Sequence, residues 1–168
     1  MWLSGGSDPS DFTYRAYNLA KKMHADFPHI SFRFVLGAGY DNHVHKLSDD
    51  EACKIKVVTD IKRVSDALSD ADLAITSQGR TVYELAAMGV PAIVLAQNER
   101  ETKHTFAQMH NGFLNLGMGN QVSDETLEKT FRFVVETPQI RAEMRNLMLS
   151  HDLRKGIERV KQLILADE

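Results

Sequence analysis

The sequence has 168 residues, 43% of them hydrophobic and 26% charged, which suits one globular domain with a sizeable core. The 20 Lys+Arg against 23 Asp+Glu leave a formal charge of −3, which argues against a dedicated nucleic-acid binder. The lone Cys53 excludes an intrachain disulfide framework, no apolar run approaches the length of a membrane span, and no signal-peptide pattern is present, so the expected location is the cytoplasm.

Residues 1–4 read as the end of a buried strand that runs into the turn Gly5-Gly6-Ser7-Asp8-Pro9. Strands usually hold about five or six residues, so this start reads as a cut within a longer protein, with a short native first strand as the alternative. Asp8 is placed to cap a helix with Pro9 at its first position. A helix is predicted over residues 12–27, with Ala16, Leu19, Ala20 and Met23 on one face. Pro28 blocks its continuation. Residues 30–36 form the clearest strand, ended by Gly37-Ala38-Gly39. There follow a short helix over residues 43–50, a strand over 55–58, a helix over 64–69, a strand over 73–76 and a helix over 82–88 ended by Gly89. Pro91 then precedes a strand over 92–95, a helix over 101–110 and a weak last strand over 113–116.

From Ser123, read as an N-cap, the chain turns helical, with Leu127, Phe131, Val134 and Val135 on one face. Pro138 breaks that run, residues 140–149 form another helix, and Leu153, Ile157, Val160 and Ile164 define a last apolar stripe. Strand–helix alternation with short apolar strands predicts a Rossmann-like three-layer α/β/α domain with a mainly parallel sheet of about six strands and a helical C-terminal tail. No internal repeat or linker interrupts it, so residues 1–168 read as a single domain.

Ligands of open α/β sheets bind at the carboxyl ends of the strands, and three loops there carry suitable groups. In Ser4-Gly5-Gly6-Ser7 the glycines let a phosphate approach the backbone at a helix start, and a tight structural turn explains the pair equally well. It is neither a Walker loop nor a dinucleotide fingerprint. The second loop is Thr76-Ser77-Gln78-Gly79-Arg80-Thr81, where Gly79, Arg80 and Thr81 offer N–H groups, a guanidinium and a hydroxyl to an anion. Glu84, one helical turn on, can accept both hydroxyls of a ribose; equally, Thr81-x-x-Glu84 is a capping-box pattern. The third loop, from Gln97 and Asn98 through Glu101 to His104, is rich in donors and acceptors, and by itself reads as a solvated loop and a polar first turn. His43-x-His45 lacks a third metal ligand and reads as surface histidines; no metal or cofactor is expected. Cys53 reads as buried or incidental, and Met88, Met109, Met118, Met144 and Met148 as core residues.

Three stretches go beyond pattern. Residues 5–10, the block from Ala71 to Pro91 (ADLAITSQGRTVYELAAMGVP), and Gln97-Asn98 with residues 111–117 (NGFLNLG) resemble the C-terminal domain of a group of nucleotide-sugar enzymes. The group is the UDP-sugar hydrolase of pseudaminic acid synthesis and its relatives in spore-coat polysaccharide synthesis, which resemble GT-B glycosyltransferases. The resemblance runs from residue 4 to about residue 120. It implies two Rossmann-like domains facing across a cleft, of which this chain is the C-terminal half. Its partners would be a UDP-sugar, or another nucleotide-sugar, and the N-terminal domain of the same protein, with no nucleic acid.

The resemblance also implies roles residue by residue. Gly5, Gly6 and Ser7 would lie near the diphosphate. Ser77, Gly79, Arg80 and Thr81 would form the phosphate loop, Glu84 would hold the ribose, and Gln97 and Asn98 would face the sugar. Thr59, Asp60 and Ile61 would flank the base. Gln78 departs from the group, which often has a second glycine there, and so does the short first strand with Trp2. The catalytic base would belong to the N-terminal domain, so this chain alone is expected to bind and not to turn over. A stand-alone nucleotide- or sugar-binding module is the competing reading, and an α/β domain kept for protein–protein contacts is a weaker third.

Overall fold

The short apolar runs become strands, and in the computed structural model, which describes residues 1–4, 8, 10–40, 46–59 and 61–166, the six of them pair in parallel in one sheet. They are β1 (Trp2–Ser4), β2 (Phe32–Leu36), β3 (Ile55–Thr59), β4 (Ala74–Ser77), β5 (Ala92–Ala96) and β6 (Phe113–Met118), in the order β3-β2-β1-β4-β5-β6. The helices are α1 (Phe12–Asp26), α2 (Val64–Leu68), α3 (Thr81–Met88), α4 (Glu99–Thr102), α5 (Asp124–Glu136), α6 (Pro138–Ser150) and α7 (Gly156–Ala166).

Side chains alternate across a strand, and here both faces are apolar because both are covered. Ile93 and Leu95 of β5 join Phe34, Ile75 and the α1 and α5 residues Ala16, Ala20, Met23, Leu127, Phe131 and Val134 in one core. Ala92 and Val94 join Val35, Ala74, Leu68 of α2, Val82 and Leu85 of α3, and Met148 of α6 in the other. Each fully buried Leu, Ile, Phe or Met contributes roughly 1.5–3 kcal/mol, so the two clusters hold the layers together. The Trp2 indole donates to the buried Thr13 Oγ1 at 2.9 Å, which fastens β1 to α1.

The strand order reverses at β1. The chain leaves β1 toward β2 and β3, then returns to lay β4 on β1's other side. The crevice outside the carboxyl ends of β1 and β4 is therefore the topological switch point, where such sheets take ligands.

Several predicted boundaries move. Asp8 does cap the first helix, its carboxylate accepting from Phe12 N (3.1 Å) and Thr13 N (2.6 Å), and the helix opens at Phe12 after Asp11 (φ 52°); Pro9 lies outside the described residues. No helix forms over residues 46–50. There Asp49 accepts from Val57 N at 2.8 Å, Asp50 bridges Ile55, and Tyr17 donates to Ser48 O, so acidic and carbonyl oxygens serve neighbouring backbone and the hydroxyl of Tyr17. Residues 43–45 lie outside the described ones.

The helix expected over 101–110 shortens to α4 and a 3-10 turn at Met109–Asn111. Met109 is exposed rather than in the core, whereas Met144 and Met148 are buried. The apolar stripe of α7 forms but stays uncovered, with Ile157 71% and Leu163 70% exposed. Among the described residues, no helix is long and apolar enough to cross a membrane.

Candidate functional site

β4 reaches the switch point almost fully buried, and the Thr76 hydroxyl donates to Leu3 O at 2.9 Å, tying β4 to β1. Ser77 is buried at the end of the strand, and Gly79 follows. A Cβ built on Gly79 would meet only Ser77 Oγ at 3.6 Å and Glu101 Oε1 at 3.9 Å, and its φ lies outside the left-handed region. The fold therefore has room for a side chain at this position. A missing side chain here leaves bare backbone toward the solvent.

Helix α3 starts at Thr81 with Arg80 as its N-cap, and no side chain caps it. The capping-box reading of Thr81 and Glu84 is thus not realised. Val82 N and Tyr83 N fold back onto Gly79 O and Arg80 O. Among the described residues, the N–H groups of Gly79, Arg80 and Thr81 have no protein acceptor. Arg80 and Glu84 are both exposed, stand one turn apart on the same helix, and form no ion pair with each other. Three open N–H groups at a helix N-terminus, with a guanidinium beside them, can receive an anion, and a carboxylate one turn in can accept from hydroxyl groups.

The loop after β5 is built around one carboxylate. Glu101 Oε2 accepts from Gln97 N at 2.9 Å and Gln78 N at 3.2 Å, the residues that leave β5 and β4. Asn98 Oδ1 accepts from Glu101 N at 3.0 Å, so Asn98 caps α4 and keeps its amide nitrogen free to donate to a ligand. Gln78 is 2% exposed, and its Nε2 donates to His104 O at 2.5 Å. The His104 Nδ1 lies 2.8 Å from Gln78 O, and a carbonyl can only accept, so Nδ1 carries the proton. The departure at Gln78 is accounted for: its side chain points into the protein, and the loop shows its backbone to the site.

Ser77, Gly79, Arg80, Thr81, Glu84, Gln97 and Asn98 therefore gather at the carboxyl ends of β4 and β5. Thr59 and Ile61 do not join them. They flank the end of β3, three strands from β4, or roughly 14 Å at about 4.8 Å per strand. Thr59 is exposed, and Ile61 is half-buried against the core that holds Leu3 and Val35. Gly5, Gly6, Ser7 and Asp60 lie outside the described residues. Sequence reasoning missed Glu101 and His104 as individuals, seeing only a polar run. It also missed Tyr83, which is 47% exposed and stacked on Phe106 (centroids 4.7 Å, 22° between planes) beside Glu84.

Ion pairs with displaced titration lie elsewhere. Arg33 holds the Asp70 carboxyl below its usual range through bonds of 2.6 and 2.8 Å, near the amino end of β4. Among the described residues, no group of three or more His, Cys, Asp or Glu is arranged to hold a metal ion.

No protein-family model matches the sequence. The chain is 31% identical over 126 residues to the spore coat polysaccharide biosynthesis protein SpsG of Bacillus subtilis, an alignment covering 73% of this chain and 37% of SpsG. It is 34% identical over 99 residues to the uncharacterized protein MJ1062 of Methanocaldococcus jannaschii, covering 56% of this chain and 20% of that protein. The crystal structure of Acinetobacter baumannii MurG superposes on 96% of this chain with a TM-score of 0.65 and 16% identity, using 48% of MurG. The chain shares the Rossmann-like α/β fold of the matched half of MurG. The aligned stretches span less than two fifths of the curated relatives and about half of MurG.

Proposed function

We propose that this chain is the nucleotide-sugar-binding half of a two-domain enzyme, a UDP-sugar hydrolase or glycosyltransferase of surface-polysaccharide or nonulosonic acid synthesis. The observation that carries the reading is the start of α3, where three N–H groups and the side chains of Arg80 and Glu84, without partners among the described residues, meet an unhindered Gly79 at the switch point. The similarity to SpsG, a spore coat polysaccharide biosynthesis protein, supports the polysaccharide context.

In this reading the diphosphate lies on Gly79, Arg80 and Thr81. Glu84 accepts from the two ribose hydroxyls. A ligand laid along the strand ends from β4 toward β3 brings its base to Thr59 and Ile61. Gln97 and the Asn98 amide nitrogen face the sugar. As the bond to the sugar breaks, negative charge grows on the departing diphosphate. Fixed N–H dipoles and Arg80 stabilise that charge with little reorganisation. The attacking group and its base come from the facing domain. Calorimetry with UDP and with uridine tests the reading: UDP should bind more tightly, and its affinity should fall with salt. Equal affinity for the two would remove the diphosphate site.

A further inference from the structure

Resting on that reading, we infer that Glu101 is the positioning residue of the site: it ties the ends of β4 and β5 together so that the Gly79–Arg80–Thr81 loop and the Gln97 loop keep one spacing. The β4–β5 ladder stops at Ser77 and Leu95. Beyond it, Gln78 N and Gln97 N have no sheet partner, and buried N–H groups require an acceptor. Glu101 Oε2 supplies one acceptor to both, at 3.2 and 2.9 Å. Its other oxygen lies 3.9 Å from where a Cβ of Gly79 would stand, directly behind the phosphate loop.

Glu101 is itself held from two directions. Its N–H bonds to Asn98 Oδ1 at 3.0 Å, and its carbonyl accepts from His104 N at 2.9 Å. His104 is clasped by Gln78 through the 2.5 and 2.8 Å bonds on its carbonyl and ring. A nearly buried glutamine amide is costly unless satisfied, so Gln78 and His104 stand or fall as a unit with Glu101. Both loops are thus attached to one short element, α4, rather than to each other through the sheet.

Simple electrostatics opposes this role. A carboxylate behind a phosphate loop repels a diphosphate, so its removal should tighten binding by charge alone. Positioning makes the opposite forecast for Glu101→Ala, which removes charge and both bonds. Glu101→Gln removes the charge and keeps an oxygen for Gln78 N and Gln97 N.

The test uses the full chain, with UDP and uridine as probes and amide exchange in the ligand-free protein. In Glu101→Ala, Gln78 N and Gln97 N should exchange faster, and UDP affinity should fall about tenfold, the scale of one lost hydrogen bond. Uridine affinity should hold, and Glu101→Gln, which keeps the acceptor and loses the repelling charge, should bind UDP at least as tightly as wild type. Unchanged or tighter UDP binding by a folded Glu101→Ala, with wild type binding UDP, overturns the positioning role alone. Equal loss of UDP and uridine affinity, or failure of Glu101→Gln to rescue, marks a general structural role and also overturns it. Wild type that binds no UDP overturns the functional reading and this inference with it.

Discussion

Gly79→Ala separates fold from function at one atom. The added methyl would sit 3.6 Å from Ser77 Oγ and 3.9 Å from Glu101 Oε1, both ordinary contacts, at a φ outside the left-handed region. Such a substitution restricts the unfolded chain and stabilises by about 0.4–1 kcal/mol. For a chain of this length the melting temperature should rise by no more than about 4 °C. The same methyl stands on the backbone that a diphosphate must approach. Loss of one charge-assisted hydrogen bond, about 1.5–3 kcal/mol, corresponds to a roughly 10- to 150-fold weaker affinity for UDP. Differential scanning calorimetry and UDP titration read the two effects separately. A stable variant that binds UDP as the parent does would refute the argument that the bare backbone serves a ligand.

Glu84→Gln should weaken UDP binding by about 1–3 kcal/mol in titration calorimetry and leave thermal stability nearly unchanged, because the carboxylate caps nothing. Gly112→Ala should cost at least about 2 kcal/mol in urea unfolding, since φ is +89° and a Cβ would fall 2.3 Å from Met144 O. The bond from Arg33 lowers the Asp70 pKa in the folded chain, so its contribution is present above the ordinary value of 3.8 and lost as pH falls through the lower folded value. Asp70→Asn should therefore lose no more than about 1 kcal/mol at neutral pH, the pair being largely exposed, and acid titration of stability should flatten below pH 4.

The sheet was legible because each parallel strand is buried on both faces and reads as an unbroken apolar run; Ala92 to Leu95 is the plainest case. α5 was legible for a local reason, Ser123 Oγ accepting from Thr126 N at 3.1 Å. The misread segments are governed by distant partners. Residues after Thr102 have adequate helix propensity, yet His104 is clasped by Gln78, Phe106 stacks on Tyr83, and Ala107 is fully buried. Tertiary bonds override propensity there.

The candidate site divides the same way. Gly79, Arg80, Thr81 and Glu84 follow from a polar cluster at a strand end. That Thr81 and Glu84 form no capping box is read from the backbone angles of Arg80, −68° and −23°, which no spacing reveals. Glu101 escaped notice because one carboxylate serving two strand ends leaves no sequence pattern.

The central claim is that the carboxyl ends of β4 and β5 hold a nucleoside diphosphate. The most direct measurement is an amide chemical-shift map of the 15N-labelled chain during UDP titration. The account expects saturable shifts centred on Gly79, Arg80, Thr81 and Glu84, extending to Gln97. Saturable shifts confined to the amino ends of the strands, or to α7, would contradict it.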